Sequence, residues 1–185
     1  MRSVKVLSVV LLSGLSFMGC SSKEPRPEMN TVSSAAKQTA EREEASYVTE
    51  FSFKKGSAVL TKNAKNDLRK VISDAKQKGK IKELKVVTWS DSEYPSSETK
   101  KLSSAERELV KRRNNAIRDY VKSYSQGLDV DTYSMAERPG VLQEMFNTSD
   151  ARIKKSMQDA GIATTESPYR SAPKSSKSVV MVVTE

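Results

Sequence analysis

Apolar and polar positions follow two different periods along this chain, and the changes of period mark its elements. Tyr47, Thr49, Phe51 and Phe53 alternate with Val48, Glu50 and Ser52, a period of two that predicts a strand. Lys54-Lys55-Gly56-Ser57 follows as a turn, and Thr61 stands where it can cap a helix. Ala64, Leu68, Val71, Ile72 and Ala75 then recur at helical spacing, with a stop at Gly79. Leu84, Val86 and Val87 predict a second strand that ends near Trp89. Beyond a polar loop over residues 90–101, Ser103 and Glu106 have the spacing of a capping box. Leu109, Ala116, Ile117, Tyr120, Val121 and Tyr124 give the helix that follows an apolar stripe, and Lys111, Arg112, Arg118 and Lys122 occupy its other face. Gly127 closes that segment. Leu128, Val130, Tyr133 and Met135 predict a third strand, with a slip of alternation near Thr132. Leu142, Met145, Ile153 and Met157 predict a helix within residues 141–160, divisible at 147–150. Residues 163–177 read as loop around Pro168 and Pro173. Val179-Val180-Met181-Val182-Val183 is a continuous apolar run, the mark of a strand buried on both faces.

The predicted order is β-α-β-α-β-(α)-β. Strands alternating with helices imply an α/β (α+β) fold: one mixed sheet, partly parallel, with crossover helices, in a single domain over residues 46–185. The stretch from Ser21 to about Glu44 is rich in Ser, Lys, Glu, Ala and Pro and has no apolar period. Such a composition buries too little surface to offset chain entropy, so residues 20–45 are expected to be a flexible, disordered tether.

The first residues have their own pattern. A basic start, Met1-Arg2-Ser3-Val4-Lys5, precedes an apolar stretch from Leu7 to Met18, then Gly19 and Cys20. This is the layout of a secretory signal peptide over residues 1–19, and its apolar part is too short to span a bilayer. Cys20 is the only cysteine of the chain. It cannot form an internal disulfide, but its thiol can carry a thioether-linked lipid. Phe17-Met18-Gly19-Cys20 resembles the lipobox of bacterial lipoproteins, in which a small residue precedes the lipidated cysteine. That resemblance implies an acylated Cys20, palmitate among its chains, and a membrane-held protein. Ser21-Ser22 lacks the aspartate of an inner-membrane retention signal, so the outer membrane, with the domain in the periplasm, is expected.

Composition narrows the chemistry. Without residues 1–19 the chain has thirty basic and twenty-three acidic side chains, a net charge of +7. There is no histidine, which removes the usual general base near neutral pH and most zinc-site designs. With Cys20 spent at the terminus no thiol nucleophile remains. The expectation is a non-catalytic protein without cofactor or metal, whose positive charge suits an anionic partner. Nucleic acid is not expected as that partner, because the export signal leads away from it.

Three strings resemble the OmpA-like domain when taken in order. Phe51-Ser52-Phe53 through Gly56-Ser57-Ala58-Val59-Leu60-Thr61, with Ala64 and Leu68, is similar to its opening. Leu84-Lys85-Val86-Val87-Thr88-Trp89-Ser90-Asp91 is similar to its second strand, with Thr88-Trp89 where that family reads Gly-His. Arg113-Asn114-Asn115-Ala116-Ile117-Arg118-Asp119-Tyr120-Val121 is similar to its Arg-Ala-x-x-Val-x-x-Tyr-Leu helix. The layout is that of a peptidoglycan-associated lipoprotein. The resemblance implies binding of peptidoglycan through the diaminopimelate of the stem peptide, whose side chain ends in an ammonium and a carboxylate on one carbon. Asp91 would hold the ammonium and Arg113 would fork onto the carboxylate. Arg107 is the alternative, because Leu102-Ser103-Ser104-Ala105-Glu106 matches the family's helix opening but places glutamate where its arginine stands. In either register both partners are expected to face solvent when unliganded. A second expectation keeps the fold and drops this ligand, leaving a divergent module that binds other proteins of an envelope or secretion assembly.

Overall fold

The computed structural model describes residues 32–96, 98–140, 144–159 and 175–185. Residues 1–19, read as a signal peptide, and Cys20 lie outside these residues. Eight elements form: α1 (Ser34–Arg42), β1 (Tyr47–Ser52), α2 (Lys62–Lys78), β2 (Ile81–Thr88), α3 (Ser104–Tyr124), β3 (Val130–Ser134), α4 (Ser149–Asp159) and β4 (Lys177–Thr184). The four strands make one sheet in the order β1-β4-β2-β3. β4 is antiparallel to both β1 and β2, whereas β2 and β3 run parallel, joined through the crossover helix α3. The mixed α+β architecture expected from the sequence is therefore present.

Local chemistry sets the boundaries. Thr61 accepts the Ala64 N–H at 3.1 Å and caps α2. Ser103 accepts the Glu106 N–H at 3.3 Å and starts α3 at its predicted position. α4 begins after Asn147, whose φ of 46° ends the preceding turn, and Thr148 accepts the Ala151 N–H. The 141–160 region is thus divided where its polar residues cluster; residues 141–143 and 160 are outside those described.

The sheet is covered on both faces. On one, Phe51, Val86, Val180 and Val182 pack with Leu68 and Ile72 of α2 and Ile117 and Val121 of α3. On the other, Val87, Trp89, Tyr133, Val179 and Met181 pack with Ile153 and Met157 of α4 and with Ala36 and Ala40 of α1. β4 alternates between the two cores, which is why its apolar run is unbroken. Trp89 is a core residue of the second face.

One expectation fails here. Residues 34–42, assigned to the tether, form α1 and close the second face of the sheet. Ser33 caps the helix through the Ala36 N–H. Ala35, Ala36 and Ala40 are buried, and their small side chains let the helix backbone approach the strands closely. Polar ties then fix it. The Thr39 and Ser156 hydroxyls are 3.0 Å apart. The buried Glu43 carboxylate accepts from Lys85 at 2.9 Å and from Arg152 at 2.8 Å, joining the end of α1 to β2 and α4. Burial pushes the Glu43 carboxyl up, but its hydrogen bonds to Arg152 and Lys85 outweigh that and hold it below the usual carboxylate value.

Candidate functional site

Asp91 follows β2, and Arg113 lies in the middle of α3, almost three turns inside it. The helix starts at its capping box, and still Arg113 reaches the strand end, its guanidinium carbon lying over the Phe53 ring 4.9 Å from the ring centroid. There Nη2 donates to Asp91 Oδ1 at 2.5 Å. Three of the four remaining N–H groups go to backbone carbonyls. Nε donates to Ser57 O at 2.9 Å, Nη1 to Trp89 O at 2.9 Å and Nη2 to Lys54 O at 3.3 Å.

Asp91 is equally engaged. Oδ1 also accepts from the Ser176 hydroxyl at 2.6 Å, and Oδ2 accepts from the Gly56 N–H. Gly56 has φ of 71°, which a residue with a Cβ adopts only under strain, so glycine is what lets this turn aim its N–H at the carboxylate. Ser176, just before β4, donates its N–H to Ser90 O at 2.6 Å and accepts the Phe53 N–H at 2.7 Å. The ends of β1 and β2, the start of β4 and α3 are thereby tied at one point. Burial pushes the Asp91 carboxyl up, but the hydrogen bonds from Ser176, Gly56 and Arg113 prevail and hold it below the ordinary aspartate value.

The two residues are therefore brought together, but not as expected. Arg113 has 0% of its side chain exposed and Asp91 only 7%. The expectation that both face solvent is corrected: each already holds partners from its own chain, Arg113 through four hydrogen bonds and Asp91 through three. Glu106, in the first turn of α3, accepts the Asp91 N–H at 3.1 Å and the Ser92 hydroxyl at 2.8 Å through its carboxylate. Arg107 is elsewhere, paired with Glu137 at 3.2 Å beside β3. The sequence signalled Gly56 through its turn. It carried no signal for Ser176, which belongs to a short polar stretch that looks like any loop.

No family model matches this chain, and no curated protein does. Among solved structures, the OmpA-like domain of FopA1 from Francisella tularensis subsp. tularensis SCHU S4 is similar at 12% identity and a TM-score of 0.39, over 74% of this chain and 72% of that one.

Proposed function

We propose that this chain is a non-catalytic module of the bacterial envelope, exported by its first nineteen residues, lipidated at Cys20 and held at the outer membrane, whose OmpA-like domain acts through protein partners. What supports the OmpA-like reading is that its three strings converge in space. The turn at residues 54–57, the end of β2 and the middle of α3 meet at the Asp91–Arg113 pair. What supports protein partners over the wall is that four of the five Arg113 N–H groups are already engaged within the chain. Gripping a ligand carboxylate takes two parallel N–H groups on an accessible edge of the guanidinium. Here the aspartate of the same chain occupies the place of that carboxylate, and the pair fastens loops together.

The wall-binding reading retains one supporting observation. The acid and the base that a zwitterionic carbon would bridge stand side by side, so peptidoglycan would be bound if Asp91 turned away from Arg113. One experiment separates the two. The chain from residue 20 onward, with Cys20→Ser to keep it free of lipid, is sedimented with purified diaminopimelate-containing sacculi. We expect it to stay in the supernatant. Co-sedimentation that free diaminopimelate competes away would restore the wall as its partner.

A further inference from the structure

β3 is the last strand of the sheet, and from Val130 to Ser134 its outer edge has no strand partner among the described residues, whereas just beyond it residues 136–138 pair with residues 100–102 through the Leu102 N–H to Ala136 O and the Arg138 N–H to Lys100 O, both at 2.9 Å. The Leu84 N–H donates to Asp129 O and the Met135 N–H to Thr88 O, both at 2.9 Å. In a parallel ladder this sets the odd-numbered residues of β3 toward β2 and turns the backbone N–H and C=O of Val130, Thr132 and Ser134 outward. Beside this edge runs one stripe of α3. Helix and strand enclose an open groove of about 610 Å³, lined by Arg107, Lys111, Asn114 and Arg118 on one wall and Thr132 and Ser134 on the other.

The outward N–H and C=O groups of β3 suit an occupant with donors and acceptors in alternation, as a peptide backbone has. Its charge is set by the helical wall. Arg107, Lys111 and Arg118 succeed one another at intervals of four and seven residues; Arg118 donates to Thr132 Oγ1 at 2.8 Å and to Asn115 Oδ1 at 3.2 Å, neutral partners that leave its charge uncompensated, and the acids beside them are Glu108 and Glu137, the latter already paired with Arg107. From Arg107 to Arg118 the helix rises ~16 Å, and the five residues of β3 extend ~17 Å. A line of positive charge thus runs alongside an open ladder of the same length. A compact anion would use one cation and leave the ladder unpaired.

We infer that this groove takes an extended acidic polypeptide segment of a partner protein, added to β3 as a fifth strand, with alternate carboxylates directed to Arg107, Lys111 and Arg118. Main-chain pairing supplies the attachment and the helix selects the charge, a division of labour common to peptides bound at sheet edges. The inference rests on the reading that the domain works through protein partners and specifies what such a partner presents.

The probe is a fluorescein-labelled, capped heptapeptide, Glu-Thr-Glu-Val-Glu-Thr-Glu, titrated into the chain from residue 20 onward with Cys20→Ser and followed by anisotropy. Binding is expected to weaken as salt rises, and the amides of Thr132 and Ser134 are expected to gain protection from hydrogen exchange. Lys111→Glu should weaken binding at least tenfold and Glu108→Lys should strengthen it; both positions are solvent-exposed, so the fold is left intact. Arg69→Glu on α2 should change nothing. A peptide N-methylated at alternate residues has the same charge without the ladder donors and should bind at least tenfold more weakly. Equal binding of the methylated peptide, or tighter binding of polyphosphate without protection of Thr132 and Ser134, would overturn strand addition in favour of a plain anion site. No peptide binding by a protein that also ignores sacculi would remove the groove proposal alone. No peptide binding by a protein that sediments with sacculi would remove this proposal and the one it rests on.

Discussion

Replacing Arg113 with alanine should destabilise the domain severely, whatever it does to binding. Arg113 is fully buried, and its guanidinium donates to Asp91 and to the carbonyls of Ser57, Trp89 and Lys54. Removing one partner of a buried ion pair costs ~3–5 kcal/mol, because the other charge stays behind in a poor environment. Asp91 would keep Ser176 and Gly56, which moderates that figure. Three carbonyls would each lose a donor, at ~1 kcal/mol or more apiece unless water enters the vacated space. A loss near 4 kcal/mol is thus a large fraction of a total stability of ~5–15 kcal/mol. At roughly 3–4 °C per kcal/mol for a domain of this size, the thermal midpoint should fall by roughly 12–16 °C. Arg113→Lys keeps the charge but not the fork, and should fall between alanine and the unaltered protein. Asp91→Asn keeps the shape and one acceptor oxygen but loses the charge and turns an NH2 donor toward a donor, so it should also destabilise, by less than Arg113→Ala. The assay is thermal unfolding by circular dichroism at pH 7. A midpoint for Arg113→Ala within ~2 °C of the unaltered protein would show that the guanidinium is not a fastening point, and the case against wall binding would lose its basis.

Four other outcomes are expected. Amides within residues 36–42 should exchange slowly, and cutting the chain to begin at Ala45 should lower the thermal midpoint and promote aggregation, since Trp89, Val179 and Met181 lose their cover; fast exchange there would mean that α1 does not dock. Asp91, Glu43 and Glu50 all have carboxyl values held below normal in the folded state, so their contribution to stability is complete above the unfolded value of ~4 and is lost as pH falls through the folded values. Acid unfolding followed by fluorescence of Trp89, the single tryptophan, should therefore set in below about pH 4. Asp131 has the opposite sign, its carboxyl raised by burial, Asp129 and Glu83, so Asp131→Asn should raise the midpoint slightly at pH 7 and not at pH 3. Cys20→Ser should release the protein from the membrane fraction or leave it unprocessed; an unchanged mass with unchanged membrane retention would exclude lipidation.

Most of the sheet and two of its helices were legible because each large apolar residue marks its own face. Phe51 and Phe53 gave β1, Leu68 and Ile72 gave α2, and the Val179–Val183 run gave a strand with a core on either side. Helix α1 was not legible for the opposite reason. It docks through Ala35, Ala36, Ala40 and Thr39, small residues whose burial depends on what the rest of the fold offers, so the segment looks like linker until Val179 and Met181 are seen beneath it. Arg113 was hidden in another way. In the run Lys111-Arg112-Arg113 it looks like part of a solvated face, and only the rotation of ~100° per residue around the helix separates the exposed cations from the buried one. The carbonyls that satisfy it come from residues 54, 57 and 89, positions that no local pattern connects to α3. The sequence could bring Asp91 and Arg113 to one place by resemblance, but whether they wait for a ligand or hold each other is decided by loops distant in the chain.

If Cys20 carries the proposed lipid, the docking of α1 also sets how far the domain can stand from a membrane. A chain undocked as far as residue 46 would reach ~90 Å from Cys20, at ~3.3–3.6 Å per residue. With α1 fastened to the sheet, Val32 is twelve chain steps from Cys20, a reach of at most ~40 Å. More than half of that reach is thus taken up by the fold. A pull on the domain away from the bilayer would bear first on α1, which is held by alanine contacts and by the Glu43 and Thr39 ties rather than by a place within the sheet. Peeling it off would release the stored length before any strand was disturbed, so α1 would act as a mechanical fuse between the anchor and the body of the protein.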